Sequence, residues 1–557
     1  MNNKWWKEAV VYQIYPKSFQ DSNEDGIGDV RGIINRLQYL KDLGITVIWI
    51  CPMYKSPMDD GGYDIADYYS IDPIFGSNED FDELIRKAEK VGIRILLDLV
   101  VNHTSDEHEW FEEALNDPDS EYRKYYHFVK GSNGRPPNNW RSYFGGSAWE
   151  PVPHEKNTFY LHAFSKKQPD LNWENEELRE EIYKMINYWL DKGIAGFRID
   201  AILNIKKSMV RGRLEPDGED GLVYIGHWIM NQPGVQSLLK EINERTFKVH
   251  DSFTVAEAAV PNDHLDQYIG PGGFFSMVFD FSYTDIDVNE TGDWFKPSGW
   301  TWTDMREKIF INQEITQEKG WGALYLENHD QPRSVSKYIP KHDINQYSKK
   351  MLGTLFMMLR GTPFIYQGQE LGMTNIEMDS MEEYEDIATH DQYKRALLTG
   401  LSKEAAFKMI SKRSRDNSRT PMQWDDSEQA GFSEGDNTWL KVNPNYTEIN
   451  AEKERLDDRS VLNYYKKLIE LRTTSNYREV IVYGKFVPDR TANDQTIVYE
   501  RVWQDTKLLT AINFTNEKQT ITIDENYTQV VLSNYQGVLI NEKLCLRPYE
   551  SMVLANR

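Results

Sequence analysis

Cysteine is nearly absent from this chain. Cys51 and Cys545 are the only two among 557 residues, and almost the whole chain separates them. Such a pair suggests no disulfide framework, and two thiols are too few for a thiolate metal site. A chain of this length buries a large core without crosslinks, so its folding requires none.

Long hydrophobic runs are also missing. The most apolar stretch, Leu352–Leu359, ends at Arg360, far short of the roughly 18 apolar residues that a membrane-spanning helix requires. Residues Met1–Glu8 contain no apolar segment typical of a secretory leader. We therefore expect a cytoplasmic protein with no membrane partner.

Positive charge is in deficit, because 64 Lys and Arg residues face 88 Asp and Glu residues, which gives a net charge of −24. Such a surface repels phosphate backbones, so we expect no nucleic-acid partner. The chain has no Gly-x-Gly-x-x-Gly after its first predicted strand, no Walker-type loop and no His-Glu-x-x-His motif. We expect no organic cofactor, and no obligate protein partner is evident.

Aromatic residues, in contrast, are abundant. The 23 Phe, 32 Tyr and 16 Trp residues make up 13% of the chain. Aromatic rings fill cores, and they also stack on flat ligands. Composition alone leaves both interpretations open.

Apolar runs rich in β-branched residues alternate with amphipathic segments along most of the chain. The candidate strands are Val10–Tyr15, Ile45–Ile50, Arg94–Val101, Ala195–Asp200, Phe253–Glu257, Ser276–Phe281, Gly322–Leu326 and Thr362–Tyr366. The candidate helices are Val30–Leu43, Asn78–Val91, Asn175–Lys192, Pro233–Lys248, Thr303–Glu318 and Asn345–Arg360. Eight near-continuous apolar strands that alternate with helices predict an α/β fold, a (β/α)8 TIM barrel. A doubly wound open sheet is the competing interpretation.

Two segments depart from this alternation. Residues 104–174, between the third strand and its helix, are too long for an ordinary crossover loop and predict an inserted subdomain. After residue 478 we expect strands without helices, at Val480–Tyr483, Gln495–Val502, Lys507–Asn513, Gln519–Ile523 and Gln529–Ser533. We therefore predict a barrel of residues 1–103 and 175–477, an inserted subdomain of residues 104–174, and a carboxy-terminal antiparallel β domain of residues 478–557.

Polar residues mark the carboxyl ends of several predicted barrel strands, where barrel enzymes place their chemistry. The ends carry Asp98 to His103, Arg198 with Asp200, Glu257, and Asn328 to Asp330. One Asp that closes a strand is usually a turn residue or a helix cap. Four such ends together indicate a functional site.

Paired carboxylates among aromatic rings suit glycoside hydrolysis, in which one carboxylate attacks the anomeric carbon and the other protonates the leaving oxygen. Arg198 lies two residues before Asp200, so both side chains can face the same side of the sheet. A cation there favours an ionised carboxylate. Asp200 is therefore the better candidate for the nucleophile and Glu257 for the acid.

These residues resemble the α-amylase superfamily, glycoside hydrolase family 13, and within it the oligo-1,6-glucosidase and α-glucosidase branch. The resemblance spans nearly the whole chain. It is carried by residues 9–19, 98–103, 196–200, Glu257, 328–330, the Gln168-Pro-Asp-Leu-Asn172 segment and residues 413–424. These ordered motifs are far more specific than any one of them alone.

The resemblance implies Asp200 as nucleophile, Glu257 as general acid/base and Asp330 as the transition-state stabiliser. It implies an exo-acting enzyme for short α-gluco-oligosaccharides or disaccharides, with a pocket closed behind by Asp60 and Arg415. The substrate-binding residues that it implies are Asp60, Tyr63, His103, Phe144, Phe164, Gln168, Arg198, Ala201, His329 and Arg415.

A possible metal loop lies early in the chain. Asp21, Asn23, Asp25, Ile27 and Asp29 place oxygen donors on alternate positions around Gly26, an arrangement that suits a hard cation. The twelfth position is Gly32 and not the bidentate Glu of an EF-hand. In the branch that the chain resembles, a similar loop binds structural calcium or magnesium, so we expect Ca²⁺ or Mg²⁺ here, with a solvated acidic turn as the alternative.

The residue after the nucleophile bears on which linkage is cleaved. In the family, valine after the nucleophile accompanies α-1,6 preference, whereas small or polar residues accompany α-1,4 or mixed preference, and here the residue is Ala201.

Sucrose isomerases and trehalose-6-phosphate hydrolases are the neighbouring alternatives. The first carry an Arg-rich loop after the sixth strand, and residues 289–303 contain no Arg. The second need cations for phosphate, and no basic cluster is obvious in the loops. A non-catalytic relative, such as a transporter heavy-chain ectodomain, conflicts with the three retained carboxylates.

Overall fold

Eight parallel strands form the centre of the structure, a computed structural model that describes residues 4–556. In chain order they are β1 (Val11–Ile14), β2 (Val47–Ile50), β3 (Arg94–Val100), β4 (Gly196–Asp200), β5 (Phe253–Ala256), β6 (Met277–Val278), β7 (Ala323–Leu324) and β8 (Thr362–Tyr366). Apart from Arg94 at the start of β3, all their residues are buried. Burial on both faces explains why the strands are continuously apolar.

The strand order closes the sheet on itself. Hydrogen-bonded neighbours run β6-β5-β4-β3-β2-β1-β8-β7. Val11 of β1 pairs with Val47 of β2 on one side and with Phe364 of β8 on the other. The first strand therefore joins the last one, which confirms the predicted (β/α)8 barrel and excludes the doubly wound open sheet. Strands β6 and β7 are shorter than predicted.

Helices surround the barrel and occupy the longer connections. They are Val30–Asn35, Leu37–Leu43, Asn78–Lys90, Glu109–Asn116, Glu176–Asp191, Gly226–Ile229, Val235–Ile242, Leu265–Ile269, Trp302–Lys319, Ser334–Tyr338, Gln346–Met357, Ile387–Leu398, Lys403–Ile410, Asp416–Arg419, Ala451–Leu456, Val461–Thr473 and Arg478–Tyr483. None of the helices within residues 4–556 combines the length and the apolar character that crossing a membrane demands.

Two predicted helices differ in detail. The segment 30–43 is two helices that meet at Arg36, and Gly44 ends the second one in the left-handed conformation that glycine adopts readily, with φ +95°. The segment predicted as Pro233–Lys248 is the helix Val235–Ile242 followed by a π-helical turn, Asn243–Phe247.

The long segment after β3 folds around its own small sheet. The strands Phe128–Lys130, Trp149–Pro151 and Thr158–Leu161 are antiparallel, with the last one in the middle. A fourth piece, Trp140–Arg141, pairs with Val223–Tyr224 from the connection after β4. That connection therefore packs against the segment, and where the predicted units begin and end stays a prediction.

The carboxy-terminal part is an antiparallel sheet, as predicted. Its strands lie in the order Lys485–Pro488, Thr496–Trp503, Thr506–Asn513, Ser551–Asn556 and Tyr527–Ser533, and Gln519–Thr522 pairs with Lys543–Leu546 beside it. Ile497 packs into the main core, while Val498 faces a second apolar cluster with Ile521. This alternation along one strand explains how the sheet attaches to the barrel with one face.

The predicted strand Val480–Tyr483 is wrong, and so is the expectation that this part contains no helix. These residues belong to the helix Arg478–Tyr483, which contacts the strand Thr496–Trp503. Val480, Ile481 and Val482 are all buried. A short run of buried β-branched residues has the same appearance in a strand and in a buried helix, so the sequence could not distinguish them.

Candidate active site

Arg198 lies at the centre of the carboxyl ends of β3, β4 and β5. Its Nη1 donates to Asp98 Oδ1 and to Asp200 Oδ1, each at 2.7 Å, and its Nη2 donates to Glu257 Oε2. The side chain is almost entirely buried. The strand register explains the meeting, because Arg198 pairs with Asp98 of β3 and with Val255 of β5. One guanidinium therefore contacts both carboxylates that were predicted from the sequence, Asp200 and Glu257.

Asp200 and Glu257 differ in their protonation. Burial raises the pKa of Asp200 to about 6, and Arg198 limits the rise. Burial raises the pKa of Glu257 to about 8, with further increases from the charges of Asp200 and Asp330. Near neutral pH, Asp200 is therefore mainly ionised and Glu257 mainly protonated. Two carboxyl groups with such separated pKa values can serve as a base or nucleophile and as an acid.

Asp330 stays ionised. Burial alone would raise its pKa, but His329, Arg415 and Arg419 together hold it well below its usual value. His329 Nε2 lies 3.1 Å from Asp330 Oδ2, and the two guanidinium groups approach Oδ1 at 3.2 and 2.8 Å. The third predicted carboxylate therefore carries a fixed negative charge beside the other two.

Asp60 and Arg415 form a buried ion pair on the wall of the site. Arg415 Nη2 lies 2.9 Å from Asp60 Oδ1, and both side chains are at least nine-tenths buried. Asp60 comes from the turn between the short strands Tyr54–Lys55 and Asp67–Ile71, and Arg415 precedes the helix Asp416–Arg419. Arg415 also reaches Asp386 at 2.6 Å. Arg415 also lies 3.2 Å from Asp330 Oδ1, so this buried ion pair directly adjoins the third carboxylate.

Aromatic rings line the site near these charges. The Tyr63 ring lies parallel to His329 with centroids 5.2 Å apart, and its hydroxyl donates to Asp98 Oδ2 at 3.0 Å. Phe144 and Phe164 come from the inserted segment and meet edge to face at 5.7 Å. Apolar ring faces and charged groups thus share one small cavity.

A cavity of about 290 Å³ contains this site. Of the predicted residues, those on its wall are Asp60, Tyr63, His103, Phe144, Phe164, Asp200, Ala201, Glu257, Asp330 and Arg415. Arg198, Gln168 and His329 are buried behind the wall. Each of them contacts a wall residue: Arg198 donates to Asp200 and Glu257, and Gln168 donates to Asp60 Oδ2 at 3.1 Å. His329 Nε2 lies 3.1 Å from Asp330 Oδ2, and its Nδ1 lies 2.8 Å from Gln13 Nε2.

Ala201 directly follows Asp200 and has an unusual backbone. Its φ of +40° and ψ of +33° place it in the left-handed region, which non-glycine residues seldom occupy. The residue also lines the cavity. Because strained backbone concentrates at functional sites, this conformation fits the position beside a reacting group.

Comparison with known proteins agrees with this geometry. The family description "Alpha amylase, catalytic domain" matches residues 13–484, and "Alpha-amylase SusG C-terminal domain" matches residues 497–553. The chain belongs to the α-amylase family.

Relatives of this α-amylase family member include enzymes of more than one activity. The oligo-1,6-glucosidase of Bacillus cereus is 44% identical, and the match covers 99% of each chain. The isomaltulose synthase of Klebsiella sp. LX3 superposes with a TM-score of 0.94 at 37% identity over the whole of both chains. The trehalose-6-phosphate hydrolase of Bacillus licheniformis gives 0.90 at 40% identity, over 99% of this chain and 100% of that one.

Several residues of the α-amylase-type cavity escaped the sequence analysis. Asp285, Trp294, Gln392 and Arg413 lie on its wall, and Asp386 contacts Arg415 behind it. Arg413 and Arg415 belong to a segment that the resemblance had already marked. Asp285 and Trp294 come from the long connection after β6, and Asp386 and Gln392 from the long connection after β8. No strand end or periodic pattern points to a site in these connections.

The two arginines of this segment permit a test of the wall. Arg415→Met leaves Asp60 and Asp386 unpaired, both at most 6% exposed, and we expect a loss of about 3–5 kcal/mol of stability. Arg413→Met is the matched control, because Asp285 and Asp287 are 37% and 22% exposed and partly solvated charges cost only about 1 kcal/mol. Thermal or urea unfolding measures both, and equal losses would contradict the buried wall.

Proposed function

We propose that this enzyme is an exo-acting, retaining α-glucosidase that releases glucose from the non-reducing end of short α-glucosides. The observation that carries the proposal is the pair Asp200 and Glu257, held by one arginine, with pKa values of about 6 and about 8. The relatives' names point to the same substrate class.

The proposed reaction has two steps. The ionised Asp200 carboxylate attacks the anomeric carbon while Glu257 protonates the departing glycosidic oxygen, which forms a glycosyl ester and frees the aglycone. Glu257, now ionised, then removes a proton from water as that water attacks the anomeric carbon from the face opposite Asp200, which breaks the ester bond and frees the Asp200 carboxylate. Two inversions retain the configuration. Asp330 supplies negative charge near the cationic transition state.

The wall formed by Asp60 and Arg415 supports exo action. A cavity closed behind the carboxylates accepts the end of a chain and leaves no room for a chain to continue on that side. His103 and Tyr63 line the part of the wall that the terminal sugar would contact. The aglycone leaves on the open side, beside Ala201 and Arg413.

Charge on the cavity wall disfavours a phosphorylated substrate. Asp60, Asp200, Glu257, Asp285 and Asp330 line it together with two arginines, Arg413 and Arg415. Both arginines already pair with carboxylates, Arg413 with Asp285 and Asp287 and Arg415 with Asp60 and Asp386. A phosphate would find no free cation among these wall residues, so a neutral glucoside is the better substrate.

Hydrolysis of isomaltose, maltose, sucrose, kojibiose and trehalose 6-phosphate, with product analysis, tests the function. We expect glucose from isomaltose and little turnover of trehalose 6-phosphate. Inactivity on all five sugars would overturn the hydrolase proposal. An isomeric disaccharide as the main product from sucrose would replace it with isomerisation.

The linkage preference depends on the residue after the nucleophile. We propose that Ala201 permits mixed α-1,6 and α-1,4 cleavage. Ala201→Val adds two methyl groups beside the scissile bond, and we expect the ratio of kcat/KM for isomaltose to that for maltose to rise about tenfold or more. Ala201→Ser, a small polar replacement, should leave the ratio within about threefold. An unchanged ratio in the valine variant would contradict this role.

The two pKa values predict a bell-shaped pH profile. Asp200 must be ionised, so kcat/KM should fall as the pH drops through about 6. Glu257 must be protonated, so kcat/KM should fall as the pH rises through about 8. Initial rates with an unactivated disaccharide measure both limbs.

Glu257→Gln provides the control for the alkaline limb. With an aryl glucoside whose leaving group needs no protonation, this variant should lose that limb and keep the acidic one. An alkaline limb that persists near pH 8 in the variant would assign it to another group.

We also propose that the loop 21–29 binds Ca²⁺, or Mg²⁺, as a structural ion. Its donors are the carboxylates of Asp21, Asp25 and Asp29, the amide of Asn23 and the carbonyl of Ile27, which are the oxygen ligands that hard cations prefer. Asp21 also accepts the N–H groups of Asn23, Glu24 and Gly26. Among residues 4–556, no three His, Cys, Asp or Glu side chains alone lie in a metal-holding arrangement, so the proposal requires the amide and carbonyl donors.

Chelation tests the ion. EDTA should lower Tm by several degrees, and added Ca²⁺ should restore it, because an ion that binds only the native state stabilises it. Asp25→Asn keeps an acceptor for the N–H of Ile27 but removes one charge, and should weaken the Ca²⁺ response. Identical melting curves with EDTA and with Ca²⁺ would favour the plain acidic turn.

A further inference from the structure

A fully buried lysine lies behind the cavity. Lys207 follows β4 by seven residues, and its side chain is 1% exposed. Its Nζ lies 2.9 Å from Asp170 Oδ2 and 2.8 Å from Asn102 Oδ1. Asp170 also accepts the N–H of Ala163 at 2.8 Å. A buried ion pair is seldom more stabilising than apolar packing, so this one calls for another explanation.

Lys207 fixes the orientation of the Asn102 side chain. An ammonium group has only N–H bonds to offer, so the amide oxygen of Asn102 must face Lys207. The amide nitrogen then faces His103, where it lies 3.2 Å from Nδ1. An NH₂ group can only donate, so Nδ1 of His103 must accept and carries no proton.

The proton of a neutral His103 therefore belongs on Nε2. This atom lies 3.1 Å from the carbonyl oxygen of Tyr63, which can only accept. Gln168 Nε2, at 3.2 Å, is a donor that would favour the other tautomer. The same Gln168 nitrogen also donates to Asp60 Oδ2, at 3.1 Å, so its hydrogen-bonding capacity does not depend on His103. The other two neighbours, Asn102 and the Tyr63 carbonyl, agree on a proton at Nε2.

His103 is neutral near pH 7. Burial lowers its pKa, and the charge of Lys207 lowers it further, while the carboxylates of Asp170 and Asp60 raise it. A neutral imidazole has one N–H only, so the choice of tautomer decides whether its Nε2 is a donor or an acceptor.

We propose that Lys207 is a positioning residue for sugar binding: through Asn102, it keeps Nδ1 of His103 unprotonated, so that Nε2–H donates to the carbonyl oxygen of Tyr63 and holds both cavity-wall residues in place. His103 lines the cavity, whereas Lys207 and Asn102 do not. The kinetic part of this inference rests on the proposed function, because it requires that His103 contacts the sugar. The tautomer itself does not depend on any substrate.

The variants must separate this role from simple stability. Lys207→Met removes the donors but leaves Asp170 buried and unpaired, so the protein can fail to fold. The double variant Asp170→Asn/Lys207→Met removes both charges and avoids that problem. Lys206→Met is the matched control, because Lys206 is the neighbouring residue and pairs with Glu174 outside the Asn102 contact.

Two measurements test the proposal on folded protein. ¹⁵N NMR of labelled histidines, with His103 assigned by His103→Gln, should show the Nε2–H tautomer in the wild type and in Lys206→Met. The double variant should show a substantial Nδ1–H fraction. With isomaltose we expect KM to rise about tenfold, the effect of one lost hydrogen bond, while kcat changes less than about twofold.

The contrary outcomes are distinct. A double variant that keeps both the Nε2–H tautomer and the wild-type KM would overturn the proposal. A tautomer change without a change in KM would also overturn it. Lower kcat and lower Tm with the tautomer unchanged would overturn it too, because they would indicate a structural role only. A wild type inactive on every glucoside would refute the proposed function, yet its His103 tautomer would still show whether Lys207 acts through Asn102.

Discussion

The contact of one buried guanidinium with three carboxylates is the constraint on which the site depends. Arg198 joins Asp98, Asp200 and Glu257, which arrive on three adjacent strands. Parallel pairing in the observed register is required for this meeting, and barrel closure keeps the strand ends at one face. Without the cation, two neighbouring carboxylates in a buried site would both resist ionisation. Arg198 lowers the pKa of both groups against the effect of burial, and the values are about 6 for Asp200 and about 8 for Glu257.

The barrel supplies the reacting groups, and the connections supply the shape of the pocket. Asp60 comes from the connection after β2, the rings of Phe144 and Phe164 from the segment after β3, and Arg415 from far beyond β8. Arg415 and Asp60 are 355 residues apart in the chain and still form a buried ion pair. The shape of the cavity therefore depends on tertiary packing between these connections.

The sequence predicted the centre of the molecule well and the periphery less well. Eight strands were evident because burial on both faces demands continuous apolar residues, and Asp200 and Glu257 were evident because one ends such a strand and the other directly follows one. The helix Arg478–Tyr483 was mistaken for a strand because Val480, Ile481 and Val482 are buried together. Asp285, Asp386 and Gln392 reach the site from irregular connections. No periodicity or strand end marks such positions, so only the folded chain reveals them.

The stereochemistry of hydrolysis tests the central claim most directly. If Asp200 attacks the anomeric carbon and water then displaces it, two inversions must return glucose in its original configuration. ¹H NMR of the first glucose released from isomaltose, recorded before mutarotation, distinguishes the two anomers. The account predicts that α-glucose appears first and the β-anomer only later. Initial release of β-glucose would contradict a covalent role for Asp200 and, with it, the proposed function of the Arg198 cluster.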